Sequence, residues 1–209
     1  MLAIKLTVPI ACWRKGYARE FLESEKLPPP ATCYGALLSL VGETDRRRHR
    51  GCRVTAGHCT PLGSPSTVLR TLWRVKSNKV PQGSGCNARP DFQQLFTDTT
   101  LILFCDRGDE QSGQLSLEDR VRTALKNPAS VERFGGWSLG ESTHLINDVW
   151  LLEEGIVDTP CEVFLCDPKG DLTLPIWVDH VGSAGTRYAV GKIERITQLP
   201  EVSRIPKLA

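Results

Sequence analysis

The sequence predicts an α+β fold, and two observations carry this prediction. Short segments with strand character recur from the N-terminus to about residue 193, whereas only two segments have helical character. Strand, basic hairpin, strand, helix and glycine-rich loop follow one another in the order expected of an α+β domain. The chain has 209 residues, 40% of them hydrophobic, which suffices for the core of an ordinary globular protein.

The first strand is predicted over residues 2–9. Apolar side chains at even positions from Leu2 to Val8 alternate with smaller or polar ones, which is typical of a strand with one buried face. Pro9 is expected to end it.

Basic and aromatic residues are interleaved in the next segment, residues 12–19. This mixture can stack on bases while it neutralises phosphates, and it predicts nucleic-acid contacts by Arg14, Lys15, Tyr17 and Arg19. A surface loop anchored by Trp13 explains the same residues equally well.

The first helix follows three consecutive prolines. A helix is excluded before Pro30, and residues 34–41 form an apolar helix that Gly42 ends, with Thr32 as a plausible N-cap. Free amides at this helix start could hold a phosphate, but capping a core helix explains the residues as well.

Positive charge is concentrated between residues 46 and 89, although the net charge is only +2. This segment contains ten Lys or Arg residues and no Asp or Glu, a footprint of phosphate binding, although a single basic loop is often only a solvated face. Strands are predicted over residues 53–62 and 68–77, followed by a projecting loop over residues 79–89 and an apolar strand over residues 99–105. In the second strand one face is basic, while the face that carries Leu69, Thr71 and Trp73 is expected to pack. The predicted nucleic-acid contacts are Arg70, Trp73, Arg74, Lys76 and Lys79.

The second helix begins with a capping box formed by Ser116 and Asp119, and it ends before Pro128. Its apolar stripe predicts a helix of the core scaffold. Short strands are then predicted over residues 149–152, 161–166, 174–178 and 188–193.

A glycine-rich segment, RFGGWSLGEST at residues 133–143, is the strongest candidate for a site. Glycines let the backbone approach a ligand, exposed amides can bind an anion, and Trp137 offers a stacking surface. The predicted contacts are Arg133, Gly135, Gly136, Trp137, Ser138, Gly140 and Ser142. The segment matches neither a Walker loop nor GxGxxG, and a tight turn with packing glycines remains the alternative.

Segments for membrane insertion or export, and the cysteines, indicate the cellular compartment. The sequence has neither an apolar run of roughly 18 residues that could span a membrane nor a signal peptide, so we expect a cytoplasmic protein. In that compartment its eight cysteines are expected to be reduced thiols.

Three features together resemble the CRISPR-associated Cas5 family of the RAMP superfamily, which supplies a subunit of type I Cascade complexes. They are the N-terminal strand, the segment LPPPATCYG at residues 27–35, and the glycine-rich segment at residues 133–142. The resemblance covers most of residues 1–195 and is strongest to Myxococcus-type or type I-B-like members.

This resemblance implies a ferredoxin-like (RRM-like) RAMP core with a projecting β-hairpin thumb. The core would occupy residues 1–148, with the thumb at about residues 68–100, and residues 149–209 would form a small C-terminal β extension. The implied partner is CRISPR RNA (crRNA), held by its 5′ handle. Such subunits cap the backbone filament, contact the large subunit and meet target DNA through the complex. Most lack catalysis, and no cofactor or metal is expected.

Two further chemistries remain as alternatives. One subtype of the family processes precursor RNA without metal, and the residues suited to such acid–base cleavage are Tyr34, His49, His58 and Lys79. A zinc site could be drawn from Cys52, His58, Cys59 and Cys86, but the spacing is poor and ordinary thiols are favoured. A serine hydrolase is poorly supported, because Gly140-Glu141-Ser142 is not a GxSxG elbow.

Overall fold

The structure is a computed structural model that describes residues 1–16, 21–59, 63–73, 79, 88–111, 115–153, 156–181 and 183–209. The sequence predictions for Tyr17, Arg19, Arg74, Lys76 and Cys86 concern residues outside these ranges. The side chain of Trp73 also lies outside what the structure describes.

The described elements are a large, mostly antiparallel sheet and two α-helices, as the α+β prediction requires. The strands are β1 (Leu2–Ala11), β2 (Phe21–Leu22), β3 (Arg53–His58), β4 (Ser66–Trp73), β5 (Ala88–Asp106), β6 (Asp148–Leu151), β7 (Cys161–Cys166), β8 (Leu172–Trp177) and β9 (Arg187–Ile196), and the helices are α1 (Pro30–Leu40) and α2 (Leu117–Lys126). The strand order is β6-β1-β5-β3-β7-β9-β8, with β2 and β4 added along β5. Because β7 pairs with β3, the C-terminal residues extend the same sheet.

The central part of the sheet, around residues 101–104 of β5, is buried on both faces. Leu101 and Leu103 of β5 face the large core that includes both helices, whereas Ile102 and Phe104 face a smaller core with Ile205 from the C-terminus. This two-sided burial explains the continuous apolar run in this part of β5.

Both predicted helices are present, with one change at the first. Ser116 Oγ accepts a hydrogen bond from the Asp119 amide at 3.1 Å, which confirms the cap of α2. Helix α1 begins at Pro30, earlier than predicted, and its N-cap is Pro29. Thr32 is therefore not the cap, because its amide donates to the Pro29 carbonyl at 2.8 Å within the first turn. None of the described helices is long and apolar enough to cross a membrane.

Strand β1 does not end at Pro9 as predicted; it continues to Ala11. On its outer edge β6 pairs only with residues Ile4 to Thr7. Pro9 lies beyond that pairing, at an edge position where a missing amide proton costs no ladder hydrogen bond.

The basic hairpin is built from β4 and the first part of β5. These strands pair from Ser66–Leu95 to Trp73–Ala88. Residues 90–98, which the sequence left between loop and strand, belong to β5, while β3 ends at His58 rather than near residue 62. The face expected to pack is open, because Leu69 is 64% exposed and its cross-strand neighbour Phe92 is 53% exposed.

Candidate nucleic-acid interface

Two buried indoles anchor the glycine-rich segment. Trp13 donates from Nε1 to the Leu139 carbonyl at 3.3 Å, and Trp137 donates from Nε1 to the Ala36 carbonyl of α1 at 2.8 Å. Trp137 is only 9% exposed. The predicted stacking role of Trp137 is therefore wrong: its ring lies in the core with its polar atom satisfied, as a buried indole requires.

The three glycines of this segment serve different purposes. Gly140 has φ +117°, and a Cβ there would lie 2.9 Å from the Cys12 carbonyl oxygen. A Cβ on Gly136 would lie 2.8 Å from a Leu145 methyl group, whereas one on Gly135 would meet nothing within 4 Å. Packing explains Gly136 and Gly140, and the open space at Gly135 adjoins the exposed Arg133.

The end of the segment is fixed by polar contacts. Arg70 Nη1 donates to Glu141 Oε2 at 2.7 Å, and Gln93 Nε2 donates to Glu141 Oε1 at 3.0 Å. The Cys12 amide donates to His144 Nδ1 at 3.3 Å, and burial lowers the pKa of His144, which favours the neutral acceptor. Arg70, predicted to bind nucleic acid, is thus engaged inside the protein.

A cavity of about 380 Å³ lies between α1, the glycine-rich segment and β8, and Ser138 and Gly140 form part of its wall. The Arg46 guanidinium stacks over the Trp177 ring at 3.9 Å from its centre. Arg46 Nη2 also donates to the Val178 carbonyl at 2.6 Å. The sequence analysis singled out neither Arg46 nor Trp177, although Arg46 begins the basic segment.

A second cavity, of about 840 Å³, adjoins the first: Thr32 and Val178 line both. Arg14 and Lys15, two predicted contacts, line this second cavity. Lys15 Nζ lies 2.7 Å from Glu23, and this hydrogen bond raises the pKa of Lys15. We call the two adjoining cavities the interface groove.

The described residues of the basic segment do not form one surface. Arg48 pairs with Glu43 at 3.0 Å, and Arg53 donates to the Ile205 carbonyl at 2.8 Å. Lys79 is exposed. The charges disperse because the chain turns from a loop into β3 and then β4, which point their side chains to different neighbours.

Three of the candidate acid–base residues are buried. The Tyr34 hydroxyl donates to the Arg46 carbonyl at 2.8 Å, and burial raises the pKa of Tyr34 far above its usual range. His49 contacts Glu110 at 2.7 Å and Arg120 at 2.8 Å. His58 packs edge-on against Trp13.

The cysteine candidates for zinc are also dispersed. Within the described ranges no three His, Cys, Asp or Glu side chains gather as metal ligands. Cys52 is buried, and a hydrogen bond with the Cys161 thiol lowers the pKa of Cys59.

Comparison with known proteins adds a relative that covers the whole chain. A protein of Myxococcus xanthus (strain DK1622), described as CRISPR-associated protein Cas5, is 60% identical over 210 residues, covering 100% of this chain and 97% of the relative. No protein-family model matches.

Two solved structures share the fold. A chain described as "CRISPR RNA-guided surveillance complex" has a TM-score of 0.62 at 14% identity, covering 95% of this chain and 90% of its own. A "Crystal structure of Cas protein" has a TM-score of 0.52 at 15% identity, with 99% and 97% covered.

Proposed function

Because the chain belongs to the Cas5 family of CRISPR-associated proteins, we propose that it is the crRNA-binding subunit of a type I Cascade complex. In this proposal the interface groove holds the repeat-derived 5′ handle of the guide. The subunit caps the backbone filament, contacts the large subunit and meets target DNA through the complex.

The two adjoining cavities of the interface groove carry this proposal. The first borders the glycine-rich segment and α1, and the second borders the first turn of α1 and the loop that bears Arg14 and Lys15. Arg46 lines the first cavity, and Arg14 and Lys15 line the second, where the carboxylates of Glu23, Glu25 and Asp179 also lie. In this proposal the two arginines contact the phosphate backbone. The wall that the two cavities share, at Thr32 and Val178, carries no charge and suits the sugar.

The proposal assigns different roles to the predicted contacts. Arg14, Lys15, Ser138, and the exposed Arg133 and Ser142 remain candidates for RNA contact. The core indole Trp137, the glycines Gly136 and Gly140, and the paired Arg70 are assigned to holding the glycine-rich segment in place. Arg46 and the neighbouring Arg50 are added as phosphate contacts.

Titration of a fluorescent repeat RNA with purified protein, in EDTA and at several salt concentrations, tests this function. The doubly substituted Arg46→Gln, Arg50→Gln protein should bind more weakly, with a salt slope smaller by about 1.4, because each of the two phosphate contacts on a single strand releases about 0.7 counterion. Arg195→Gln, which removes an exposed cation of β9 that lines neither cavity, is the control and should bind as the wild type does.

The same reaction separates the alternatives. We propose that the subunit is not an enzyme, so the RNA should remain intact on a denaturing gel. Cleavage at one site of the repeat would favour the processing endoribonuclease, and no binding of repeat RNA at any salt concentration would overturn the proposed function.

A further inference from the structure

We propose that the part of the interface groove between α1 and β8 is a pocket for one unstacked RNA nucleotide. Its base would rest on the stack that the Arg46 guanidinium forms with Trp177, and its phosphate would face Arg46 and Arg50. This nucleotide pocket rests on the proposed RNA-binding function and adds to it a specific subsite.

The size and lining of the cavity suit a nucleotide. Its volume of about 380 Å³ falls in the range of small-ligand sites, which is about 300 to 1,000 Å³. Leu38 and Ile176 supply apolar wall, while Thr32 and Ser138 supply hydroxyl groups. The apolar wall can pack against the faces of a base, whereas it offers no favourable contact to a bare phosphate.

Two guanidinium groups lie over one half-buried indole. The centre of the Trp177 ring is 3.9 Å from Arg46 Cζ and 5.5 Å from Arg50 Cζ. The Val178 carbonyl holds Arg46 in this orientation at 2.6 Å. Indole and guanidinium planes are the surfaces on which unstacked bases rest in RNA complexes, and the same cations neutralise the adjoining phosphate.

Gly35 gives an independent reason to assign a ligand here. It lies inside α1, where glycine costs about 1 kcal/mol relative to alanine. Its φ is not positive, and a Cβ there would meet nothing within 4 Å, so the fold does not require glycine. Gly35 lines the same cavity, and the missing side chain leaves room for a ligand to approach the helix closely.

An abasic scan of the repeat RNA tests the nucleotide pocket. Removing the base at one position should weaken binding to the wild-type protein by about tenfold, the loss expected for one stacked base. In Gly35→Leu, which fills the pocket without changing charge, and in Trp177→Ala, intact RNA should bind more weakly and that position should no longer matter.

Matched controls separate this effect from general damage. Gly63→Leu adds the same side chain at another glycine with open space, and Trp150→Ala removes another partly exposed indole, 48% exposed on β6. Both should keep the wild-type scan. In the wild-type protein, 2-aminopurine at the sensitive position should lose fluorescence on binding, a readout that needs no variant.

The outcomes distinguish the two proposals. RNA binding without any sensitive position, without 2-aminopurine quenching, or with a scan unchanged in Gly35→Leu and Trp177→Ala would overturn the nucleotide pocket while the proposed function stands. Failure of the wild-type protein to bind repeat RNA would overturn both.

Discussion

Arg70 and Glu141 join the basic hairpin to the glycine-rich segment. Arg70 Nη1 lies 2.7 Å from Glu141 Oε2, although the two residues are 71 positions apart in the sequence. Gln93, on the neighbouring strand β5, hydrogen-bonds to the same carboxylate. Side-chain hydrogen bonds therefore link the hairpin directly to the glycine-rich segment.

This relationship predicts that Arg70 acts in the fold rather than on RNA. A double-mutant cycle of Arg70→Gln and Glu141→Gln, followed by urea unfolding, should give a coupling energy of about 0.5 to 1 kcal/mol, because both side chains are only partly buried. Arg70→Gln should keep the wild-type salt slope of RNA binding, whereas Arg14→Gln should reduce it. A slope reduced equally by both variants would contradict this assignment.

The packing of Gly140 predicts a larger cost there than at Gly135. Alanine at Gly140 combines φ +117° with a contact of 2.9 Å to the Cys12 carbonyl, so we expect a loss of about 2 kcal/mol or more of unfolding free energy. Alanine at Gly135 has only the positive φ of +78° to overcome and should cost about 1 kcal/mol. Equal losses in urea unfolding would show that the contact with Cys12 does not matter.

Glu43 predicts a pH dependence of stability. Burial alone would raise its pKa, but hydrogen bonds, first that from Arg120 at 2.5 Å, outweigh burial and lower the pKa of Glu43 from 4.5 to about 2. Because its pKa is lower in the folded protein than in the unfolded chain, ionised Glu43 stabilises the fold above pH 4.5. This contribution is lost as pH falls from about 4.5 to about 2. The stability difference between wild type and Glu43→Gln should therefore be largest above pH 4.5 and shrink below it.

Urea unfolding at several pH values measures this difference. The exposed Glu132 provides the control, since Glu132→Gln should stay within about 0.5 kcal/mol of wild type at every pH. A difference for Glu43→Gln that is constant between pH 7 and pH 3 would contradict the ion pair with Arg120.

Local patterns in the sequence predicted those parts of the fold that depend on neighbouring residues. The cap of α2 needs only Ser116 and Asp119, and the apolar run of β5 identifies a strand wherever it packs. The polar start of β5, residues 90–98, gave no such signal, because pairing with β4 rather than burial makes it a strand.

The candidate site was harder to predict because its contacts are distant in sequence. Trp137 points inward, where its Nε1 donates a hydrogen bond to the Ala36 carbonyl, 101 positions away in the sequence. Arg46 and Trp177 are in contact because the fold places β8 beside the loop that follows α1. Composition indicated a nucleic-acid site, but the tertiary fold determines which indole faces the interface groove.

Photo-crosslinking tests the central claim, that RNA lies in the interface groove, most directly. Repeat RNA carrying 4-thiouridine at single positions would be irradiated with the full-length protein, and the linked peptides identified by mass spectrometry. The account predicts links to peptides that contain Trp177, Ser138 or Arg14. Links confined to the open hairpin face at Leu69 and Phe92, or to Trp150 on β6, would contradict it.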